Sequence, residues 1–267
     1  MKSRKKSSRF RDVNAKQKGL LCGVSLLLLL SSVACGTATK RRPAGPSGAA
    51  AELKHCLQLS AQKKQTEAVN CLEAYKSRYP DSEAAAEADL LIADSYFRKK
   101  DYLLAAESYN DFIKEYPHDP KLDYAYYKAA QSYFRDTPKA IGRDQQYLDL
   151  AAQNLSLLID AFPSSPYYKL ARQFAMQVRT KQAKKDFSIA KFYYNFKEYR
   201  ACVPRFAEIV DKYGGTVYDP PSFYYSIVAY KKLKEKEKAR GALNLFEQRY
   251  PKSRWLRRAR GLLSNKN

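Results

Sequence analysis

The sequence is poor in the residues that punctuate a chain and in those that carry catalysis. It has 10 Gly and 12 Pro in 267 residues, too few for a turn-rich β fold. Its two histidines, His55 and His118, lie far apart, and no glycine-rich phosphate loop or cluster of metal-ligand spacing occurs, which argues against an enzyme, a cofactor or a bound metal. Acids are scarce as well, 27 against 49 Lys and Arg, a formal net charge of +22. A basic surface suits nucleic acid, anionic headgroups or acidic proteins, or is merely a solvated face, and charge alone does not choose. What is abundant is aromatic: 22 Tyr and 12 Phe within a 45 % hydrophobic composition, which favours long helices packed through rings.

The first 34 residues settle the compartment. Lys2, Arg4, Lys5, Lys6, Arg9, Arg11, Lys16 and Lys18 form a positive n-region, and Gly19 to Leu30 an apolar run too short to span a bilayer. It closes on Ser31, Ser32, Val33, Ala34, Cys35 and Gly36, small residues before a cysteine, the pattern of a lipobox. Residues 1–34 therefore read as a lipoprotein signal peptide and Cys35 as the lipidated first residue of the mature chain. Several acyl chains together anchor firmly. Ser32 stands where such boxes usually carry Leu, and a plain secretory signal with an incidental cysteine is the alternative. Gly36 is not the Asp that commonly retains lipoproteins at the inner membrane, so the expected place is the periplasmic face of the outer membrane, where no nucleic acid is met. Residues 35–51, ending in Thr37 to Ala51, read as a flexible tether able to reach about 50 Å at about 3.3 Å per residue.

The rest of the chain repeats itself. Tyr79-Pro80, Tyr116-Pro117, Phe162-Pro163, Tyr213-Gly214 and Tyr250-Pro251 close five segments. Twelve residues before each Pro or Gly stands a small residue: Ala68, Ala105, Ala151, Cys202 and Ala239. Eight before it stands a larger one: Leu72, Tyr109, Leu155, Phe206 and Leu243. This is the tetratricopeptide pattern of helix pairs, in which small residues let two helices touch and Pro ends the second. The expected fold is an all-α solenoid of about five tetratricopeptide-like pairs in two halves. Repeats 1–3 take residues 52–166, a long helix from Tyr167 through Asp186 and repeats 4–5 take 167–253, and a basic extension takes 254–267. Gly214-Gly215 reads as a helix-ending turn. Cys56 and Cys71 fall on the two helices of the first pair, and either a bridge between them or buried free thiols fits an oxidising compartment.

Arg78-Tyr79-Pro80, Asp123-Tyr124-Ala125-Tyr126-Tyr127, Arg143-Asp144, Phe162-Pro163-Ser164-Ser165-Pro166-Tyr167 and Ala190-Lys191-Phe192-Tyr193-Tyr194, with the insertion Asp136 to Gln146, give residues 52–253 a more specific likeness. The chain resembles the BamD family of outer-membrane β-barrel assembly lipoproteins. The resemblance implies a non-catalytic scaffold that binds a BamA-like central barrel protein through its POTRA domain, receives unfolded outer-membrane proteins, and meets other assembly lipoproteins. Arg205 falls where the family places an arginine used against the POTRA domain, although its neighbour Pro204 and the missing Pro after Tyr213 depart from the pattern. A peptide groove is expected on the first helices of repeats two and three: Leu90, Asp94, Phe97 and Arg98, then Tyr124, Tyr127, Gln131, Phe134 and Arg135. Ordinary packing with solvated arginines is the alternative for those positions. A periplasmic tetratricopeptide adaptor for cell-wall or secretion machinery is the alternative for the whole chain.

Overall fold

The structure is a computed structural model that describes residues 46–140 and 143–264. The leader, Cys35 and most of the tether lie outside the described residues. Eleven helices follow one another among those described: α1 (Pro46–Ala61), α2 (Gln65–Arg78), α3 (Ala85–Lys99), α4 (Tyr102–Glu115), α5 (Leu122–Asp136), α6 (Gln146–Ala161), α7 (Tyr168–Asn195), α8 (Tyr199–Lys212), α9 (Asp219–Lys232), α10 (Lys236–Arg249) and α11 (Arg254–Ser264). The first ten each pack chiefly on their sequence neighbours and α11 lies mainly on α9, which makes the array an all-α solenoid of five pairs with α11 as a cap.

The small residues of the repeat explain how the pairs close. Ala68, Ala105, Ala151, Cys202 and Ala239 are all fully buried, as are Ala93, Ala130 and Ala190 on the first helices. Of the larger set, Leu72, Tyr109, Leu155 and Phe206 are buried, while Leu243 remains half-exposed because only α9 and the short α11 cover α10. Two kinds of turn alternate. Between pairs, Tyr79, Tyr116, Phe162, Tyr213 and Tyr250 each donate a last backbone bond to the residue four earlier, and the Pro or Gly that follows ends the helix. Within pairs, Lys63, Lys100, Lys197 and Lys234 sit at φ of 62–69°, and the next amide reaches back to the carbonyl five residues earlier. That is the left-handed helix-ending turn, made here with lysine in place of glycine. The third pair lacks it. Its inserted segment is held instead by buried Gln145, whose Nε2 donates to the carbonyls of Pro138 and Ala140. After α8, Gly215 takes φ 83° where the other repeats carry proline one position earlier, and the Tyr250 hydroxyl accepts its amide at 2.9 Å.

Two boundaries differ from the sequence reading. Residues 46–51, assigned to the tether, open α1, because Pro46 costs nothing in a first turn and Ala49 to Ala51 are the strongest helix formers. The helix read as ending at Asp186 runs on to Asn195 and is itself the first helix of the fourth pair. Its N-terminal half packs Ala171, Phe174 and Val178 into the core of α5 and α6, and its C-terminal half packs Phe187 and Ala190 against α8 and α9. The two halves are thus joined through one unbroken helix. The extension 254–267 contributes α11, which buries Leu256 and Ala259 against α9 and α10 and turns its arginines outward.

In the first pair Cys56 and Cys71 are bonded to each other. His55 is exposed beside them, so the adjacent His-Cys pair holds no free thiol. Cys202 is buried and free, and burial pushes its thiol up to about 11.

Candidate peptide groove on the first helices

The first helices of pairs two, three and four, α3, α5 and α7, share one face. Along α3 and α5 the positions Leu90, Asp94, Phe97 and Tyr124, Tyr127, Gln131, Phe134 recur at helical spacing, so each set forms one stripe. The stripes line two hollows. One, of 440 Å³, has Leu90, Asp94 and Tyr124 in its wall, and the other, of 620 Å³, has Tyr127, Gln131, Phe134 and Arg135. Between them stands Tyr167, 5.7 Å from the ring of Tyr124 and stacked on Tyr127 at 5.3 Å. Phe97 and Arg98 line neither hollow; they sit on the neighbouring turn of α3.

Asp94 is not an open ligand. Its carboxylate accepts the fully buried Tyr109 hydroxyl, the Tyr124 hydroxyl at 2.6 Å, and faces Arg98 at 3.8 Å. Burial and this carboxylate hold both phenols well above the ordinary tyrosine range, so they stay protonated donors. Asp94 therefore locks α3 to α4 and α5 and fixes Tyr124 in the wall. Arg98 is also partly committed, because it donates to the Ser60 hydroxyl of α1. Arg135 is exposed, with its guanidinium 5.9 Å from the rings of both Phe97 and Tyr102.

Two lysines absent from the sequence-derived set complete the site. Lys128 Nζ lies 3.3 Å from the Phe97 ring centre, and Lys181 Nζ lies 4.9 Å from that of Phe134. Burial lowers the pKa of each, and neighbouring cations add to it: Arg98 and Arg135 for Lys128, partly offset by Asp94, and Lys184 for Lys181. Leu170 and Phe174 of α7 supply the far wall of the larger hollow, Phe174 lying 5.1 Å from Phe134. Lys128 stands four residues after Tyr124 on the same stripe, a signal readable in the sequence. The α7 wall was not readable, since its membership depends on how pair four stacks on pair three.

Arg205 lies elsewhere, on α8. It is half-buried rather than solvent-facing: its guanidinium stacks 4.1 Å from the Tyr193 ring centre and donates to the Ala201 carbonyl at 2.7 Å. Pro204 is exposed within α8, which continues through it. Among the described residues no group of His, Cys, Asp and Glu is placed to hold a metal ion, and no helix is long and apolar enough to cross a membrane.

Repeating helix pairs, recurrent buried small residues and a side-chain-lined face define a tetratricopeptide-type solenoid. The sequence matches the family described as "YfiO: Outer membrane lipoprotein" over residues 54–245. The chain belongs to that family. It is 29 % identical to the outer membrane protein assembly factor BamD of Neisseria gonorrhoeae over 91 % of this chain and 95 % of that one. With the BamD of Rickettsia prowazekii it shares 28 % identity over 70 % of this chain and 74 % of that one. Among solved structures it is similar to the TPR2AB-domain:pHSP90 complex of yeast Sti1, with 13 % identity, a TM-score of 0.40, and coverage of 82 % and 84 %.

Proposed function

We propose that this protein is a non-catalytic scaffold of outer-membrane protein assembly, held by acyl chains on Cys35 at the periplasmic face of the outer membrane. Its relatives are named as assembly factors, and its architecture offers surfaces. The N-terminal half receives the end of an unfolded barrel protein, and the C-terminal half, through Arg205, meets the POTRA domain of the central barrel protein. Other assembly lipoproteins share the complex.

The observation that carries the client-binding part is the pairing of cations with aromatic rings along one face: half-desolvated Lys128 on Phe97 and Lys181 on Phe134, with the exposed Arg135 beside Phe97. Neither lysine forms an ion pair among the described residues, Asp94 acting on Lys128 only at longer range, and apolar rings stand beside them. An extended segment ending in an aromatic residue and a free carboxylate satisfies both needs, the ring against Tyr127, Phe134 and Phe174 and the carboxylate on the cations. The test is titration of a peptide of a barrel protein's last strand. Arg98→Ala with Arg135→Ala weakens it severalfold without loss of helicity, and so does amidation of the peptide's carboxylate. Equal affinity in either experiment would overturn this groove as the client site.

A further inference from the structure

The charge of the chain is unevenly distributed along the solenoid. Residues 46–161 hold 14 Lys or Arg against 18 Asp or Glu, a net −4, whereas residues 162–264 hold 23 against 8, a net +15. It is uneven across the solenoid too. The four within-pair turns with a left-handed lysine, residues 61–65, 98–103, 195–200 and 231–238, carry 12 cations and 4 acids. The five turns at the opposite ends of the pairs, residues 78–85, 115–122, 161–168, 211–219 and 249–254, carry 6 and 6. One edge is therefore cationic and the other balanced. Of the four acids on the cationic edge, Asp101 is paired with Lys99 at 3.0 Å and Glu235 with Lys238 at 2.9 Å. Glu237 pairs with Arg240 at 3.5 Å, and Glu198 is the fourth.

The edge is densest at pairs four and five. Tyr194, Tyr199, Tyr230 and Leu233 pack into one core, which sets their two turns side by side, and Lys231 Nζ donates to the Leu262 carbonyl at 2.6 Å, bringing the end of α11 to the same place. Beside Lys197, two phenylalanines point into solvent: Phe192 and Phe196 are 56 % and 65 % exposed, their rings 4.6 Å apart. Lysine at a left-handed turn is less comfortable than glycine, yet the chain repeats it four times.

We propose that this edge, centred on Phe192, Phe196, Lys197, Lys231, Lys232 and Lys234, docks on the anionic phospholipid headgroups of a bilayer leaflet. These exposed cations are spread over neighbouring turns and line neither of the hollows described above, which suits a continuous charged surface better than a single acidic side chain. The exposed ring pair supplies the apolar element that enters the headgroup boundary, the combination of basic and apolar residues that holds proteins at an interface. Such docking would orient the solenoid edge-on to the leaflet, with its first-helix hollows open to the side. It stands independently of what occupies those hollows.

Residues 43–267 are one compact unit containing all five cores, so the chain from residue 35 with Cys35→Ser folds without its anchor and is the species to test. The probe is co-sedimentation with vesicles of phosphatidylcholine alone or with phosphatidylglycerol added. Binding is expected only to the anionic vesicles and to fall with salt. Lys197→Glu with Lys232→Glu and Lys234→Glu lowers it on the order of tenfold or more, while Lys114→Glu with Lys169→Glu and Lys252→Glu, equal in charge but at the opposite ends of the pairs, leaves most of it. Phe192→Ser with Phe196→Ser also lowers binding and leaves the salt slope unchanged. Three results would each overturn the proposal: no binding to anionic vesicles, equal loss in the two triple variants, or a parent chain that ignores vesicles but binds a polyglutamate-bearing protein.

Discussion

Replacing Asp94 by Leu removes the acceptor of two tyrosine hydroxyls and leaves a side chain of similar bulk. The Tyr109 hydroxyl is fully buried, so it loses its partner with no water to replace it, at about 1–3 kcal/mol. The Tyr124 hydroxyl is half-buried and loses about 1 kcal/mol. The 3.8 Å contact to the half-exposed Arg98 adds almost nothing. The sum is about 2–4 kcal/mol, and at about 2–4 °C per kcal/mol for a domain of this size the melting temperature should fall by roughly 5–15 °C. Circular dichroism through the thermal transition measures it, with a double-mutant cycle to assign the cause. In a Tyr109→Phe background there is no buried hydroxyl to orphan, so Asp94→Leu should cost at least about 1 kcal/mol less there. If the cost is the same in both backgrounds, the carboxylate is not the lock between α3 and α4, and the groove wall is held by packing alone.

Because burial holds Lys128 below its usual 10.5, a bound carboxylate should raise its pKa. Peptide affinity is then full while Lys128 is charged and falls as pH rises, at a lower pH than an ordinary lysine would give; a profile that stays flat through 10.5, or one that Lys128→Met leaves unchanged, contradicts this. The Cys56–Cys71 bond closes a loop with a sequence separation of 15, so Cys56→Ala with Cys71→Ala should cost about 3 kcal/mol, with faster amide exchange confined to α1 and α2. Exchange that rises equally in α9 and α10 would show the first pair is not a separate cooperative element. Cys35→Ser should leave helicity intact and remove the protein from the outer-membrane fraction after mild salt washing; unchanged fractionation would mean that the lipobox is not used.

Much of the fold was legible because tetratricopeptide packing depends on a few small residues whose spacing tolerates no substitute. Ala68, Ala105, Ala151, Cys202 and Ala239 could be aligned without any structure, and each is fully buried. The start of α1 was misplaced because Pro46, Ser47 and Gly48 read as linker by composition, and only the alanines after them favour helix. Of the groove, the stripe on α3 and α5 follows from helical periodicity, but two things do not. Whether Asp94 faces solvent or is spent on Tyr109 and Tyr124 depends on pair-to-pair contacts, and the wall from α7, although Leu170 and Phe174 fall in the long helix the sequence suggested, depends on how that helix stacks on α5. Arg205 was singled out by resemblance alone, and its stacking on Tyr193 was not readable, since it requires knowing how α7 and α8 cross.

The most direct test of the account is purification of the tagged, lipidated protein from detergent-solubilised envelopes, with the parent chain and Arg205→Glu compared side by side. The scaffold reading predicts that the parent recovers the POTRA-bearing central barrel protein in near-equal amount, and that Arg205→Glu recovers much less while remaining folded and membrane-bound. Recovery of cell-wall or secretion components without that barrel protein would contradict it.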